Sequence, residues 1–422
     1  MSGGENGMRF VIDGREPKEV VFPESVEQAA GVLSAAAEHQ RAVSPVGMGA
    51  FLHIGGLPRR YDLALCLQHM DRIVDYQPAD MTVSVEAGMP LARLQHILGE
   101  QNQWLPLDPP WPDRVTIGGL IAMNLSGPSR LSQGTIRDFL IGIKVIRADG
   151  TVIKSGGRVV KNVAGYDLAK LYCGSFGTLG VIAEATFKIR PRPETQTVVS
   201  LSFPSVEQAL EVALRLLSTE LQPTFLELAN FDLSDEQGTD SSPYQLFIGF
   251  AGSAEEITYQ RGRLREIIGA SGEQAQAWEE GRVHALLEAI RDFPVSGAAA
   301  LRCKVSLLPS QLAAFCKTVE EETPVRTLSV QYVAHAGNGI IYCRLPQTEN
   351  LSREKMLSFV DWIRILAKKL GGYVVIEAID PALKDRVDVW GHVGNSFPLM
   401  KRLKETLDPQ GMLNPGRFVG GI

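Results

Sequence analysis

The sequence predicts an α+β protein in two main parts, and three observations carry that reading. Between Leu105 and Pro193, short apolar runs alternate with loops: Leu105-Pro-Leu-Asp-Pro-Pro110, Thr116-Ile-Gly-Gly-Leu-Ile-Ala-Met-Asn124, Lys161-Asn-Val-Ala-Gly-Tyr-Asp-Leu168 and Gly174-Ser-Phe-Gly-Thr-Leu-Gly-Val-Ile182. Pro191-Arg-Pro193 then interrupts regular structure. Beyond it strands and helices start again and alternate to Glu377, the pattern of an antiparallel sheet covered by helices. A chain of 422 residues also exceeds one ordinary core.

The elements follow in order. Val20-Val-Phe22 reads as the first strand. Ser25 with Gln28 forms a capping box, so a helix runs to about His39. Ala42-Val-Ser-Pro45 leads into Gly47-Met-Gly49. Strands over Asp62–Leu67, Ile73–Tyr76 and Thr82–Glu86 precede a helix over Leu91–Glu100. Asp149-Gly150 separates Ile143–Ile146 from Thr151–Ile153, a strong hairpin signal. After the prolines, Val198–Phe203 is a strand, and Ser205 with Gln208 opens a helix to about Thr219. Strands over Gln245–Phe250, Gln331–Ala334 and Gly339–Arg344 alternate with helices near Glu255–Ile268 and Ser352–Leu370. Gly371-Gly372 suits the C-terminal cap of the last of these. The expected division is 1–193, 194–395 and 396–422, the final stretch carrying one helix and a turn-rich tail.

Composition excludes several classes of function. Hydrophobic content of 45% and charged content of 21% suit a soluble globular chain, and a net charge of −6 gives no general attraction to nucleic acid or anionic lipid. No apolar run approaches the ~18 residues of a membrane span, and the N-terminus lacks the basic-then-apolar pattern of a secretory signal. The five cysteines form no C-x-x-C pair, which disfavours an iron–sulfur cluster or structural zinc within the chain and suits a reducing cytosol.

Four glycine-bearing loops in series describe the bed of a nucleotide cofactor. Pro45-Val46-Gly47-Met48-Gly49-Ala50 follows a strand and lacks bulk at its glycines, so successive backbone N–H groups can be aimed at a diphosphate. Gly118 and Gly119, after Ile117, let backbone approach a ligand closely, while Thr116 and Ser126 offer hydroxyls.

In order and wording these segments resemble the FAD-binding fold of the vanillyl-alcohol oxidase and p-cresol methylhydroxylase flavoproteins. Thr116–Arg192, with Leu125-Ser-Gly-Pro-Ser-Arg130, Lys161-Asn-Val-Ala-Gly-Tyr-Asp167 and the ending Leu407-Asp-Pro-Gln-Gly-Met-Leu-Asn-Pro-Gly-Arg417, is similar to the FAD-binding subunits of bacterial glycolate oxidases. The resemblance is specific over about 16–193 and 400–420. It implies a two-subdomain p-cresol-methylhydroxylase-type FAD-binding domain over 1–193. A cap, for substrate or partner, over 194–395 would follow, and 396–422 would return to the FAD domain.

Residue by residue, the resemblance assigns the 45–50 loop to the FAD diphosphate. It sets Asp108, Pro109, Thr116–Gly119, Asn124, Ser126 and Gly127 along the flavin, with Asp138 shaping the adjoining loop. Gly177, Gly180, Val181 and Ile182 fall with Lys161-Asn162 and Gly165-Tyr166-Asp167 at the adenine end, and Asn414 and Arg417 near the ring. Relatives that bind flavin covalently place a histidine where this chain has Gly49, and His53 is displaced, so the FAD is expected to be non-covalent. His335-Ala-Gly-Asn-Gly339 resembles the His-x-Gly-Asp-Gly-Asn-Leu-His metal segment of FAD-linked 2-hydroxyacid dehydrogenases. Asn338 and Tyr342 replace an Asp and a His, and Glu377 has lost its neighbouring His. No metal is therefore expected; His335 and Arg417 remain the catalytic candidates.

The implied activity is oxidation of glycolate to glyoxylate within a complex. A sister FAD-linked subunit and an iron–sulfur subunit would complete it, with this chain relaying electrons or supporting assembly. Two alternatives stand beside it: a self-sufficient FAD-dependent 2-hydroxyacid (D-lactate) dehydrogenase, and a non-catalytic structural subunit. The implied location is cytoplasmic, with peripheral attachment at the inner membrane through the complex also allowed.

Overall fold

Local signals set the helix starts. The Ser25 hydroxyl accepts the Gln28 N–H at 3.2 Å and Ser205 that of Gln208 at 3.4 Å, satisfying donors a helix leaves unpaired. The helices Val26–Glu38 and Val206–Leu217 follow. Helix Arg353–Lys369 ends on Gly371 at φ +74°, with the Gly372 N–H on the Ala367 carbonyl at 2.8 Å. In this computed structural model the described residues are 10–157, 167–231, 233, 244–269, 276–278, 280–347 and 351–422. Lys161, Asn162, Gly165 and Tyr166 lie outside them.

Two units are present. The first comprises residues up to Ser126, Thr135–Arg192 and Lys384–Ile422. In it β1 (Glu19–Val21), β2 (Val43–Val46) and β3 (Leu63–Cys66) make a parallel sheet in the order β1-β3-β2. An antiparallel sheet in the order β4-β5-β9-β7-β8 combines β4 (Ile73–Gln77), β5 (Thr82–Glu86), β7 (Leu140–Ile146), β8 (Val152–Gly156) and β9 (Val181–Lys188). The short β6 (Gln103–Trp104) pairs with β10 (Arg190–Pro191). β7 and β8 are joined through Asp149-Gly150, with Gly150 at φ +84°.

The second unit comprises Gly127–Gly134 and Pro193–Leu383. Its described strands form one antiparallel sheet in the order β14-β11-β13-β12-β16-β17-β15-β18. These are β11 (Thr195–Phe203), β12 (Phe225–Ala229), β13 (Tyr244–Gly252), β14 (Gln276–Ala277), β15 (Ala299–Ser306), β16 (Gln331–His335), β17 (Ile340–Pro346) and β18 (Tyr373–Ile379). Phe225, Phe247, Val333 and Ile340 on one face pack with Leu286, Ile290 and Phe293, of which the first two lie on helix Glu280–Asp292.

The units partition the chain at places the sequence did not announce. Gly127–Gly134 joins the second unit, where the Leu131 side chain lies so close to Gly337 that a Cβ there would meet it at 2.5 Å. The chain rejoins the first unit at Lys384 rather than near 396, because the Lys384 ammonium is buried against Asp13 at 2.7 Å and the His53 carbonyl at 2.6 Å.

On helix Leu312–Val325 of the second unit, the Glu320 carboxylate accepts the Tyr244 hydroxyl at 2.5 Å and also that of Tyr332. Burial raises this carboxyl above its ordinary value of 4.5, and the two phenols only partly oppose it. The folded state therefore holds the proton to higher pH than the unfolded state, and the associated stability is lost as pH rises through the folded value. Glu320→Gln keeps an acceptor and removes the titration. Its urea midpoint should fall less than that of the parent between about pH 5 and about pH 8; an unchanged slope would contradict this.

Candidate functional site

β2 ends at Val46, which pairs with Cys66 of β3, and the Leu67 N–H bonds the Val46 carbonyl at 2.9 Å. The chain then leaves the sheet. Gly49 takes φ +76°, a conformation that favours glycine. Among the described residues, the N–H groups of Gly47, Met48, Gly49 and Ala50 donate to no protein acceptor. They border an open cleft in the first unit.

The opposite wall starts at Thr116. Its hydroxyl accepts the Gly119 N–H at 3.3 Å and starts helix Ile117–Met123. A Cβ at Gly47 would stand 2.2 Å from this same hydroxyl, so the two loops meet only because residue 47 has no side chain. Gly118 and Gly119 also line the cleft, with Gly177, Gly180 and Ile182 from the segment leading into β9.

Asn414 arrives from the C-terminal return. A buried knot holds it: Lys404 donates to Asp408 at 2.6 Å, to the Thr178 carbonyl at 2.9 Å and to the Leu413 carbonyl at 2.8 Å. Asp408 also accepts the N–H groups of Met412 at 3.1 Å and Leu413 at 2.8 Å. The turn then pairs with β2: the Val43 N–H bonds the Met412 carbonyl at 2.8 Å and the Asn414 N–H bonds the Val43 carbonyl at 2.9 Å. The Asn414 amide donates to the Phe176 carbonyl at 2.8 Å, and the residue lines the cleft.

Arg417 lines the cleft too, but its guanidinium is engaged. It donates to the carbonyls of Leu52, Ile54 and Gly56 at 2.6–2.7 Å and lies 3.8 Å from Asp13. Burial pulls its pKa down to about 10, with Asp13 opposing. The side chain clamps the 52–56 segment instead of presenting an open charge.

The structure thus gathers Pro45–Ala50, Thr116, Gly118, Gly119, Gly177, Gly180, Ile182, Asn414 and Arg417 around one cleft. Other expected residues fall outside its lining. Ile117 and Val181 are buried core, and Asp108, Pro109 and Ser126 are not among the lining residues. Asn124 caps the 117–123 helix at φ 51°, and Gly127 belongs to the second unit. Asp138 accepts the Thr135 N–H at 2.8 Å and hydroxyl at 3.0 Å in a capping box, which lowers its pKa and fixes the loop without reaching the cleft. Sequence reasoning missed Phe51, Leu52, Arg114 and Met123, which are among the other residues of the lining. Arg114 alone carried a readable signal, as a cation two residues before the Thr116 loop.

His335 lies in the second unit, opposite Glu227 in the β12–β16 pairing, with its Nδ1 2.5 Å from the Glu227 carboxylate and both side chains buried. Its ring meets Tyr342 edge-on at 5.3 Å. Tyr342 faces Lys304 across β15 and β17, and the ammonium lies 5.6 Å from the ring centroid. Burial raises the Glu377 carboxyl, opposed by Lys304 and Arg302. Among the described residues no three His, Cys, Asp or Glu side chains converge to hold a metal.

A dinucleotide fits the first-unit cleft on its own terms. Free amides at Gly47–Ala50 suit diphosphate oxygens, and the lining carries two arginines and no carboxylate.

Comparison with known proteins agrees. The family described as "FAD binding domain" matches residues 17–156. The family described as "FAD linked oxidases, C-terminal domain" matches 192–377 and 391–418, just over half of the 422 residues. The chain is 28% identical over 425 residues to glycolate oxidase subunit GlcD of Bacillus subtilis, covering 95% of this chain and 89% of that protein. It is 28% identical over 351 residues to glycolate oxidase subunit GlcE of Escherichia coli, covering 82% and 84%. The crystal structure of p-cresol methylhydroxylase with substrate bound superposes with a TM-score of 0.70 at 17% identity, covering 94% of this chain and 88% of that one. At that identity the likeness speaks to the fold.

Proposed function

Because the chain belongs to the FAD-linked oxidases, we propose that it is the FAD-bearing subunit of a complex that oxidises glycolate to glyoxylate. A sister FAD-linked subunit and an iron–sulfur subunit would complete that complex, the former suggested by relatives named as GlcD and GlcE. The observation that carries the reading is the run of acceptor-free amides at Gly47–Ala50 beside the cleft. Bound FAD supplies an acceptor for the two electrons that leave a CH–OH group. The chain's own part is to hold it: the amides take the diphosphate, and Thr116 with Gly118 and Gly119 shapes the second wall. Gly177, Gly180 and Asn414 close the far side. The attachment is non-covalent in this reading: Gly49 has no nucleophile, and His53 is not among the lining residues.

The division of labour follows from the second unit. His335 is paired with Glu227, and by the resemblance Tyr342 replaces the second histidine of the family's metal segment. We assign oxidation of glycolate to the sister subunit and electron relay or assembly to this chain. No helix among the described residues is long and apolar enough to cross a membrane.

The test is to express the chain alone, record its visible spectrum and precipitate it with acid. Yellow colour released to the supernatant is expected. Colour retained in the pellet would refute non-covalent binding, and a colourless protein would favour a structural subunit. Anaerobic bleaching of the isolated chain by glycolate or D-lactate at a competent rate would overturn the relay assignment.

A further inference from the structure

The two arginines of the cleft are not equivalent. Arg417 is spent on three backbone carbonyls and is 3% exposed at its side chain. Arg114 is exposed, and among the described residues no carboxylate pairs with it. Its guanidinium carbon stands 4.7 Å from the centroid of the Trp111 ring, a stacked placement that fixes the planar fork.

The platform beneath it is built into the fold. Trp111 takes φ +52°, which a bulky L side chain rarely adopts, and such strain collects at functional sites. The turn is held by the Arg114 and Val115 N–H groups on the Trp111 carbonyl, each at 2.9 Å. The Pro112 and Val115 carbonyls are anchored by the N–H groups of Ala92 and Leu91, each at 3.0 Å. Trp111 also packs at 5.7 Å against Phe51, the residue directly after the acceptor-free amides. The strained turn therefore sets a fixed cation beside a run of N–H dipoles, in a cleft without an acid.

We propose that Arg114, held on Trp111, pairs with the diphosphate of the dinucleotide cofactor and makes the cleft select flavins that carry phosphate. The inference rests on the FAD reading above. Backbone amides supply directed dipoles but no net charge. A diphosphate carries anionic oxygens whose geometry matches a guanidinium fork. With Arg417 engaged elsewhere, Arg114 is the lining cation available to it.

The test uses the full chain stripped of cofactor and titrated with FAD and with riboflavin by flavin fluorescence, in the parent, Arg114→Gln and Arg114→Lys. Arg114→Gln should weaken FAD by roughly 10- to 100-fold, the scale of hydrogen bonds to charged groups, and leave riboflavin within about twofold. Arg114→Lys should recover part of the loss, and the salt dependence of FAD binding should shrink in Arg114→Gln. FAD affinity unchanged in Arg114→Gln would overturn the proposal, as would an equal loss for riboflavin with melting temperature preserved. Because Arg114 is exposed, the variants should melt with the parent. Should the parent bind neither flavin, the FAD reading falls and takes this proposal with it, a result separable from a variant-specific one.

Discussion

Asp408→Ala should lower the stability of the first unit by roughly 3–5 kcal/mol, the range measured when one partner of a buried ion pair is removed. The loss is large because a single carboxylate serves three donors: the Lys404 ammonium and the N–H groups of Met412 and Leu413. Removing it strands an ammonium whose pKa burial already lowers, with two carbonyls as its remaining partners. For a unit of this size the melting temperature should fall by about 6–20 °C. Flavin content should fall in parallel, since the same turn carries Asn414 to the cleft through its pairing with Val43. Differential scanning calorimetry with the absorbance ratio of purified protein would check both. A variant that melts with the parent would show that the turn is held by its strand pairing alone.

Gly47→Val is expected to abolish flavin binding. The added Cβ would meet Thr116 Oγ1 at 2.2 Å and Cγ2 at 2.8 Å, and Thr116 cannot swing away without uncapping helix Ile117–Met123. Overpacking of this kind typically costs about 1–3 kcal/mol, which leaves the unit folded while parting the two walls of the cleft. The expected protein is colourless as purified, melts a few degrees lower at most, and shows flavin affinity reduced at least about 100-fold, as a shift of a few kcal/mol at the ligand requires. Thr116→Ser with Gly47→Ala should recover part of the binding, because it removes the Cγ2 half of the clash. Full flavin occupancy in Gly47→Val would show that the loop reshapes without loss.

Much of the cleft was legible because its signals are local. Gly47, Gly49, Gly118 and Gly119 mark close backbone approach wherever they fall, and the structure brings their loops together. Ser25, Ser205 and Ser352 start helices through one hydrogen bond each. What stayed hidden depends on distant partners. β15 lies between β17 and β18 in the large sheet, yet carries Arg302 and Lys304 at alternating positions and so does not read as an interior strand. Arg302 is tolerated there because its guanidinium bonds the carbonyls of Pro294 at 3.2 Å and Ser296 at 2.8 Å. Arg417 looked like an available charge because nothing in the sequence says that Leu52, Ile54 and Gly56 will turn their carbonyls toward it. Asp138 lay in a visible Thr-x-x-Asp capping pattern, and the structure forms that capping box.

The first unit is written in three pieces of chain, the last of which begins at Lys384. On a ribosome the amides of Gly47–Ala50 exist long before Asn414 and Arg417 have been made. A nascent chain ending just before residue 384 carries both walls of the cleft without Asn414 and Arg417. Its acceptor-free N–H groups are made well before the Lys404–Asp408 knot and the Asn414 turn it holds. Translation thereby sets a sequence of events that no reordering of strands can alter: the bed is laid first and fastened last.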